Sequence, residues 1–299
     1  MDEDIIEKVA RAVGARPVRW IDARDRGFTG NERWVVELEH GRRAFVKRAV
    51  DDMTAGWLRA EHRVYDGVRR SFLPDFLGWD DDGDRPLLVL EDLTDGFWPP
   101  PWSEDAIQAV LRALDAIHAT SPPTGLPSLE DERENLSGWH QVADEPEPFL
   151  SLGLCTREWL DDALTALLSA SDACVLAGDS LVHCDVRSDN VCIRGDRAVL
   201  VDWNWACTGN PAFDLASWAP SLAMEGGPQP EALLPDGTSE AAIVSGFFAA
   251  RAGLPPPPDE PGAPTGQWTR IRVIQLAQLG TALPWAARAL GLPPPEHSR

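Results

Sequence analysis

Three consecutive prolines in "TDGFWPPPW", residues 94–102, divide the chain into two parts that no single periodicity describes. Proline fixes φ and lacks a backbone donor, so neither a helix nor a central strand runs through this stretch. Before it, apolar residues recur mainly at every second position; after it, they recur at helical spacing. The break predicts an α+β chain in two lobes, a β-rich N-terminal lobe over residues 1–91 and a mainly helical C-terminal lobe over 92–299. At 299 residues and 43% hydrophobic content the chain can bury a sizeable core.

In the first part, residues 3–13 are expected to form a helix and "PVRWIDA" a strand. "RWVVELEH" alternates, "HG" turns, and "RRAFVKRAV" returns, which predicts a hairpin. The preceding "GFTGN" puts Gly27 and Gly30 between strands, where backbone amides can close over an anion; an ordinary turn accounts for them equally. Residues 54–70 carry Trp57, Leu58, Val64, Tyr65 and Val68 on one helical stripe, with Glu61 in its middle. A carboxylate on a core-facing stripe needs a cation or must reach water at the stripe's edge. The cation at hand is Lys47. The only lysines are Lys8 and Lys47, every other basic position being arginine, so a lysine inside an apolar strand asks for a specific reason. "DFLGWDDDGDRPLLVLEDL" adds two further strands.

Beyond the prolines, "SEDAIQAVLRALDAIHAT" has a Ser103 cap, acids in its first turn and helical spacing. Residues 121–152 read as an irregular insert rich in proline and acids. Helices follow in "TREWLDDALTALLSASDA" and near 238–252 and 266–290, the last two joined by the polyproline-type linker "LPPPPDEPGAPTG". The five scattered cysteines form no C-x-x-C pair, so reduced thiols are expected. A formal charge of −21 sets the chain against nucleic acid; it suits a cationic small molecule, and equally serves solubility. With no apolar run long enough for a bilayer and an acidic start, "MDEDIIEKVA", no membrane is expected, and the protein is read as cytoplasmic and monomeric.

The chemistry concentrates in "LVHCDVRSDNVCIRGDRAVLVDWNWACTGNPAFDLASW". His183, Asp185 and Asn190 fit H-x-D-x-x-x-x-N, the catalytic-loop pattern of protein kinases. "VCI" and "AVLVDW" are short β runs around the "RGDR" turn, so Asn190 and Asp202 come to the same end of a hairpin. Phosphoryl transfer needs an Asp to accept a hydroxyl proton, oxygen ligands to hold Mg²⁺ against the phosphates, and a lysine to grip them. Asp185, the pair Asn190 and Asp202, and Lys47 fixed by Glu61 are the candidates.

With these motifs the chain resembles the aminoglycoside phosphotransferase and choline kinase-like family of small-molecule kinases, from the glycine loop near Gly27 to Trp218. The resemblance rests on "HCDVRSDN" with "VDW" and on "NPAFDLASW". It implies a two-lobed protein-kinase-like fold and ATP with Mg²⁺ in the interlobe cleft, GTP being an alternative donor. It further implies that Leu90 to Leu93, including Asp92, meet adenine through the backbone, while His183 and Asp214 support the catalytic loop. The acceptor is a small-molecule hydroxyl, on an aminoglycoside or other cationic antibiotic, or on choline, homoserine or a sugar. Cys184 stands where most members have Gly, "GFTGN" is poorer in glycine than G-x-G-x-x-G, and no A-P-E segment follows Asp202, which points away from a protein kinase. A non-catalytic nucleotide-binding protein of the same fold is the rival reading, and a metallohydrolase built on His118, His183 and Asp185 a weaker one lacking a ligand motif. Asp189 is given no role. Tryptophans such as Trp57 and Trp159 sit on helical stripes and are assigned to the core rather than to a cation cage.

Overall fold

The computed structural model describes residues 2–23, 30–259 and 265–295. Helix α1 (Glu3–Val13) is capped by Asp2 and ends at Gly14, whose φ of 70° suits glycine. Strands β1 (Pro17–Asp22), β2 (Glu32–Leu38), β3 (Arg43–Arg48), β4 (Phe76–Asp80) and β5 (Leu87–Glu91) form one sheet in the order β1-β2-β3-β5-β4, each neighbouring pair antiparallel. The expected hairpin is β2–β3.

Helix α2 (Asp52–Gly67) connects β3 to β4 and starts at a capping box between Asp51 and Thr54. The expected span of 54–70 therefore begins earlier and stops sooner, at Val68, where the backbone turns extended. Alternation along β5 separates the two faces of the sheet. Leu87 and Val89 pack with Ile5 and Val9 of α1, whereas Leu88 and Leu90 pack with Leu58, Val64 and Tyr65 of α2. The same period places Val46 on the α1 side and Lys47 on the α2 side. Each large apolar side chain buried in this way contributes about 1.5–3 kcal/mol.

The remainder is mainly helical: α3 (Glu104–His118), α4 (Arg133–Leu136), α5 (Gly138–Asp144), α6 (Glu147–Leu150), α7 (Arg157–Asp172), α8 (Ala212–Met224), α9 (Thr238–Ala252) and α10 (Gln267–Ala289). Two ribbons interrupt it, β6 (Ser180–Val182) with β9 (Cys207–Gly209) and β7 (Val191–Arg194) with β8 (Arg197–Leu200). The helices over 103–118, 156–173, 238–252 and 266–290 match expectation.

Three expectations need correction. The 121–152 insert is not irregular throughout, since α4, α5 and α6 lie within it or at its end. Trp139 of α5 is fully buried and donates to the Ala242 carbonyl at 2.8 Å. The approach is close: a Cβ on Gly138 would lie 2.0 Å from the Gly246 carbonyl oxygen of α9. Second, α8 was not expected. It is apolar nearly all round, burying Phe213, Ala216, Trp218, Ala219 and Leu222, and contains Pro220, so it shows neither a polar face nor a clean propensity. Third, Trp57 is only half-buried, 6.0 Å from the half-exposed Trp205 ring, whereas Trp159 is buried as expected. Among the described residues no helix is long and apolar enough to cross a membrane. All five cysteines are free.

Candidate active site

Lys47 projects from β3 toward α2 and is 5% exposed. Its ammonium lies 2.7 Å from Glu61 Oε2 and also donates to Asp202 Oδ1. Of the two readings of Glu61, the buried pair is correct and the route to water is not: Glu61 is 2% exposed and also accepts from the Tyr65 hydroxyl at 3.3 Å. Burial would lower the Lys47 pKa, but Asp202 and Glu61 outweigh it and raise it, so the ammonium keeps its proton. Burial likewise pushes the Asp202 carboxyl up, yet Lys47 and Arg33 overcome this and hold it down to about 2. Burial drives the Glu61 carboxyl upward against the pull of Lys47.

The β7–β8 hairpin does what its sequence predicts. Val191 faces Leu200 and the Val201 amide donates to the Asn190 carbonyl at 3.0 Å, so Asn190 and Asp202 flank one end of it. Asn190 Nδ2 donates to the Asp185 carbonyl at 2.8 Å and to Asp185 Oδ2 at 2.9 Å. With the amide nitrogen committed to Asp185, the Asn190 side-chain oxygen remains as the atom able to meet a cation. The other Asp185 oxygen lies 3.3 Å from Arg187 Nε, and Arg187 also pairs with Asp189 at 2.8 Å.

Below the loop, fully buried Asp214 of α8 accepts from the amides of His183, at 3.0 and 3.1 Å to its two oxygens, and of Cys184 at 2.8 Å. His118 Nε2 lies 2.9 Å from the same carboxylate. The contacts of His183 settle its protonation: Nε2 faces the Val201 carbonyl at 2.9 Å and Nδ1 faces the Asp185 amide at 3.2 Å. A carbonyl only accepts and an amide N–H only donates, so the ring is neutral with its proton on Nε2. Both nitrogens are occupied in holding the loop, and His118 Nε2 is taken up by Asp214, which leaves the metallohydrolase reading without its histidine ligands; among the described residues no three His, Cys, Asp or Glu side chains gather to hold a metal.

Two non-glycine residues among those described have positive φ, Cys184 at 65° and Asp202 at 66°. Cys184 thus stands in a backbone conformation that favours glycine, the residue the resemblance expects there, and the side chain costs about 1–2 kcal/mol. The Cys184 sulfur lies 3.0 Å from that of Cys207 on β9. Its thiol is raised well above the ordinary range, first by that contact and then by burial.

Lys47, Glu61, Leu90, Asp92, Asn190 and Asp202 all line one cavity of about 510 Å³ between the five-stranded sheet and the segment over residues 188–202. Asp92 directs its carboxylate away from any simple ligand role, pairing with Arg43 at 2.8 Å and accepting from Thr94. Gly30 is buried at the approach to β2, and Gly27 lies outside the described residues. Sequence reasoning missed Arg33, a cavity-lining residue only 3% exposed. Its signal was available in the hairpin register, which sets Arg33 directly opposite Lys47.

This arrangement can hold a polyanion beside a fixed lysine and present two oxygen donors to a hard cation, while the half-buried Asp185 carboxylate, which does not itself line the cavity, is held against Asn190. The chain is similar in structure to an aminoglycoside phosphotransferase solved with AMP-PNP and hygromycin B, at 15% identity and a TM-score of 0.58, with 96% of this chain and 98% of that one covered. It is also similar to a Thermobifida fusca protein named as a fructosamine-3-kinase, at 21% identity and a TM-score of 0.57, over 94% and 99%. An amicoumacin kinase solved with AMP-PNP, Ca²⁺ and its antibiotic aligns at 9% identity and a TM-score of 0.56, over 93% of each chain. These likenesses establish the α+β kinase-like fold. No curated protein matches the sequence. The sequence model of the phosphotransferase enzyme family matches residues 24–244, well over half of the chain, and the chain belongs to that family.

Proposed function

We propose that the protein transfers the γ-phosphate of a magnesium-bound nucleotide, with ATP as the expected donor, to a hydroxyl of a small molecule. The observation that carries this reading is the three-way contact of Lys47 with Glu61 and Asp202, opposite an Asn190 that is held by Asp185. A binding module gains nothing from a carboxylate poised as Asp185 is. Residues 1–91 would hold the nucleotide and residues 92–299 would carry the catalytic loop and the acceptor.

The donor chemistry of the cleft fits a magnesium nucleotide, which when bound supplies the electrophilic phosphorus and neutralises charge on the phosphate oxygens. Asn190 and Asp202 offer it oxygens, Lys47 grips phosphate oxygens with its position fixed by Glu61, and the Leu90 to Leu93 backbone faces the base. Asp185 orients the acceptor hydroxyl and takes its proton. His183 and Asp214 keep the loop that carries Asp185 in place. The acceptor suited to a chain of charge −21 is a cationic, hydroxyl-bearing compound, with an aminoglycoside-like antibiotic as the leading class.

Calorimetric titration of AMP-PNP with and without Mg²⁺ tests the assignment of the cleft. Asp202→Ala should lose the magnesium-dependent part of the affinity, Lys47→Ala should weaken binding, and Asp185→Ala should bind nearly as the wild type does. Equal, magnesium-independent affinity in all four proteins would contradict it.

A further inference from the structure

A second cavity, of about 680 Å³, opens behind the cleft, bounded by the α2–β4 connection, the end of β5 and the β7–β8 hairpin. Pro74 and Glu91 line both cavities, so the two share a wall. Five arginines line the rear one, Arg42, Arg69, Arg70, Arg194 and Arg197, against only two carboxylates, Asp75 and Glu91. This excess of positive charge lies in a chain whose net charge is −21. A general need for solubility does not explain it, because the chain meets that need with acids.

The arginines come from separate segments and are partly ordered. Arg194 pairs with Glu91, and Arg42 Nη2 lies 3.4 Å from Asp75 Oδ2. Arg69 donates to the Asp66 and Val68 carbonyls, each at 3.1 Å, and stands 5.0 Å over the Phe76 ring. Arg70 donates only to the Arg69 carbonyl, and neither Arg70 nor Arg197 has a carboxylate partner among the described residues. Like charges gathered around a concave surface repel one another and focus a positive field into it. A counter-ion relieves this, and guanidinium groups match phosphate oxygens two by two.

We propose that this rear cavity is a binding site for a small anion carrying two or more phosphate groups. More than one group is required because the arginines come from three separate segments, the β2–β3 turn, the α2–β4 connection and the β7–β8 hairpin, around a space much larger than a single phosphate. The site is separate from the catalytic cleft, and the inference does not depend on the function assigned to that cleft.

Titration of tripolyphosphate, without magnesium or nucleotide, tests it in three proteins at low ionic strength: wild type, Lys47→Ala and the double variant Arg70→Ala/Arg197→Ala. Both arginines are exposed, so the double variant should melt with the wild type, which is checked first. Binding should persist in Lys47→Ala and weaken at least fivefold in the arginine variant, with sulfate at matched ionic strength binding far more weakly. Unchanged affinity in the arginine variant would overturn the proposal, as would loss of all binding in Lys47→Ala or sulfate binding as tight as that of tripolyphosphate.

Discussion

Replacing Asp214 by Ala removes the acceptor on which the loop starting at His183 rests. The carboxylate is fully buried and receives two backbone amides, from His183 and Cys184, together with His118 Nε2. Each buried donor left unsatisfied costs about 1–3 kcal/mol. The His183 amide is buried and the Cys184 amide partly so, while half-buried His118 can recruit water, so the loss should be about 1–6 kcal/mol. The upper end is a large part of the roughly 5–15 kcal/mol typical of a folded domain. Asp214→Asn keeps one acceptor oxygen and should lose roughly half as much. Urea unfolding at neutral pH measures both, with the order wild type, Asn, Ala in decreasing stability. A stability of Asp214→Ala within about 0.5 kcal/mol of wild type would refute the reasoning, since it would mean that those amides find other acceptors or are not buried.

Two further predictions concern packing and the thiols. A Cβ at Gly78 of β4 would lie 2.2 Å from the Ala12 carbonyl oxygen of α1, so Gly78→Ala should force α1 from the sheet and cost several kcal/mol, whereas Gly83→Ala at the exposed β4–β5 turn meets no atom within 4 Å and pays only for its positive φ; paired thermal melts compare them. Burial pushes the Cys155, Cys174 and Cys192 thiols up to about 11. At pH 8 they should react with Ellman's reagent at least ~100-fold more slowly than in guanidinium, because thiolate is the reacting form. Rapid labelling of all five in the folded protein would contradict their burial.

Part of the site was legible in the sequence as residues in conflict with their surroundings. Lys47 is the one lysine of a β-rich run and Glu61 the one carboxylate on an apolar stripe, and the contact between them resolves both conflicts. Asn190 and Asp202 could be brought together because a short hairpin with a polar turn has only one way to close. Arg33 carried no such mark, being one arginine among many, and its place follows only from the pairing register. Helix α8 was hidden by the very property that buries it, an apolar surface on all sides, and α4 to α6 are too short for a helical period to show. The cost of Cys184 was visible only as a departure from glycine until its φ of 65° gave it a physical meaning.

The most direct test of the account is magnesium-dependent transfer of radiolabelled phosphate from ATP to a panel of aminoglycosides, peptide antibiotics, choline, amino alcohols and sugars, with Asp185→Ala alongside the wild-type protein. Labelling of one acceptor class by the wild type, reduced at least a thousandfold in a variant that still binds nucleotide, is the predicted result. Wild-type turnover in Asp185→Ala, or tight nucleotide binding without transfer to any acceptor in the panel, would contradict it.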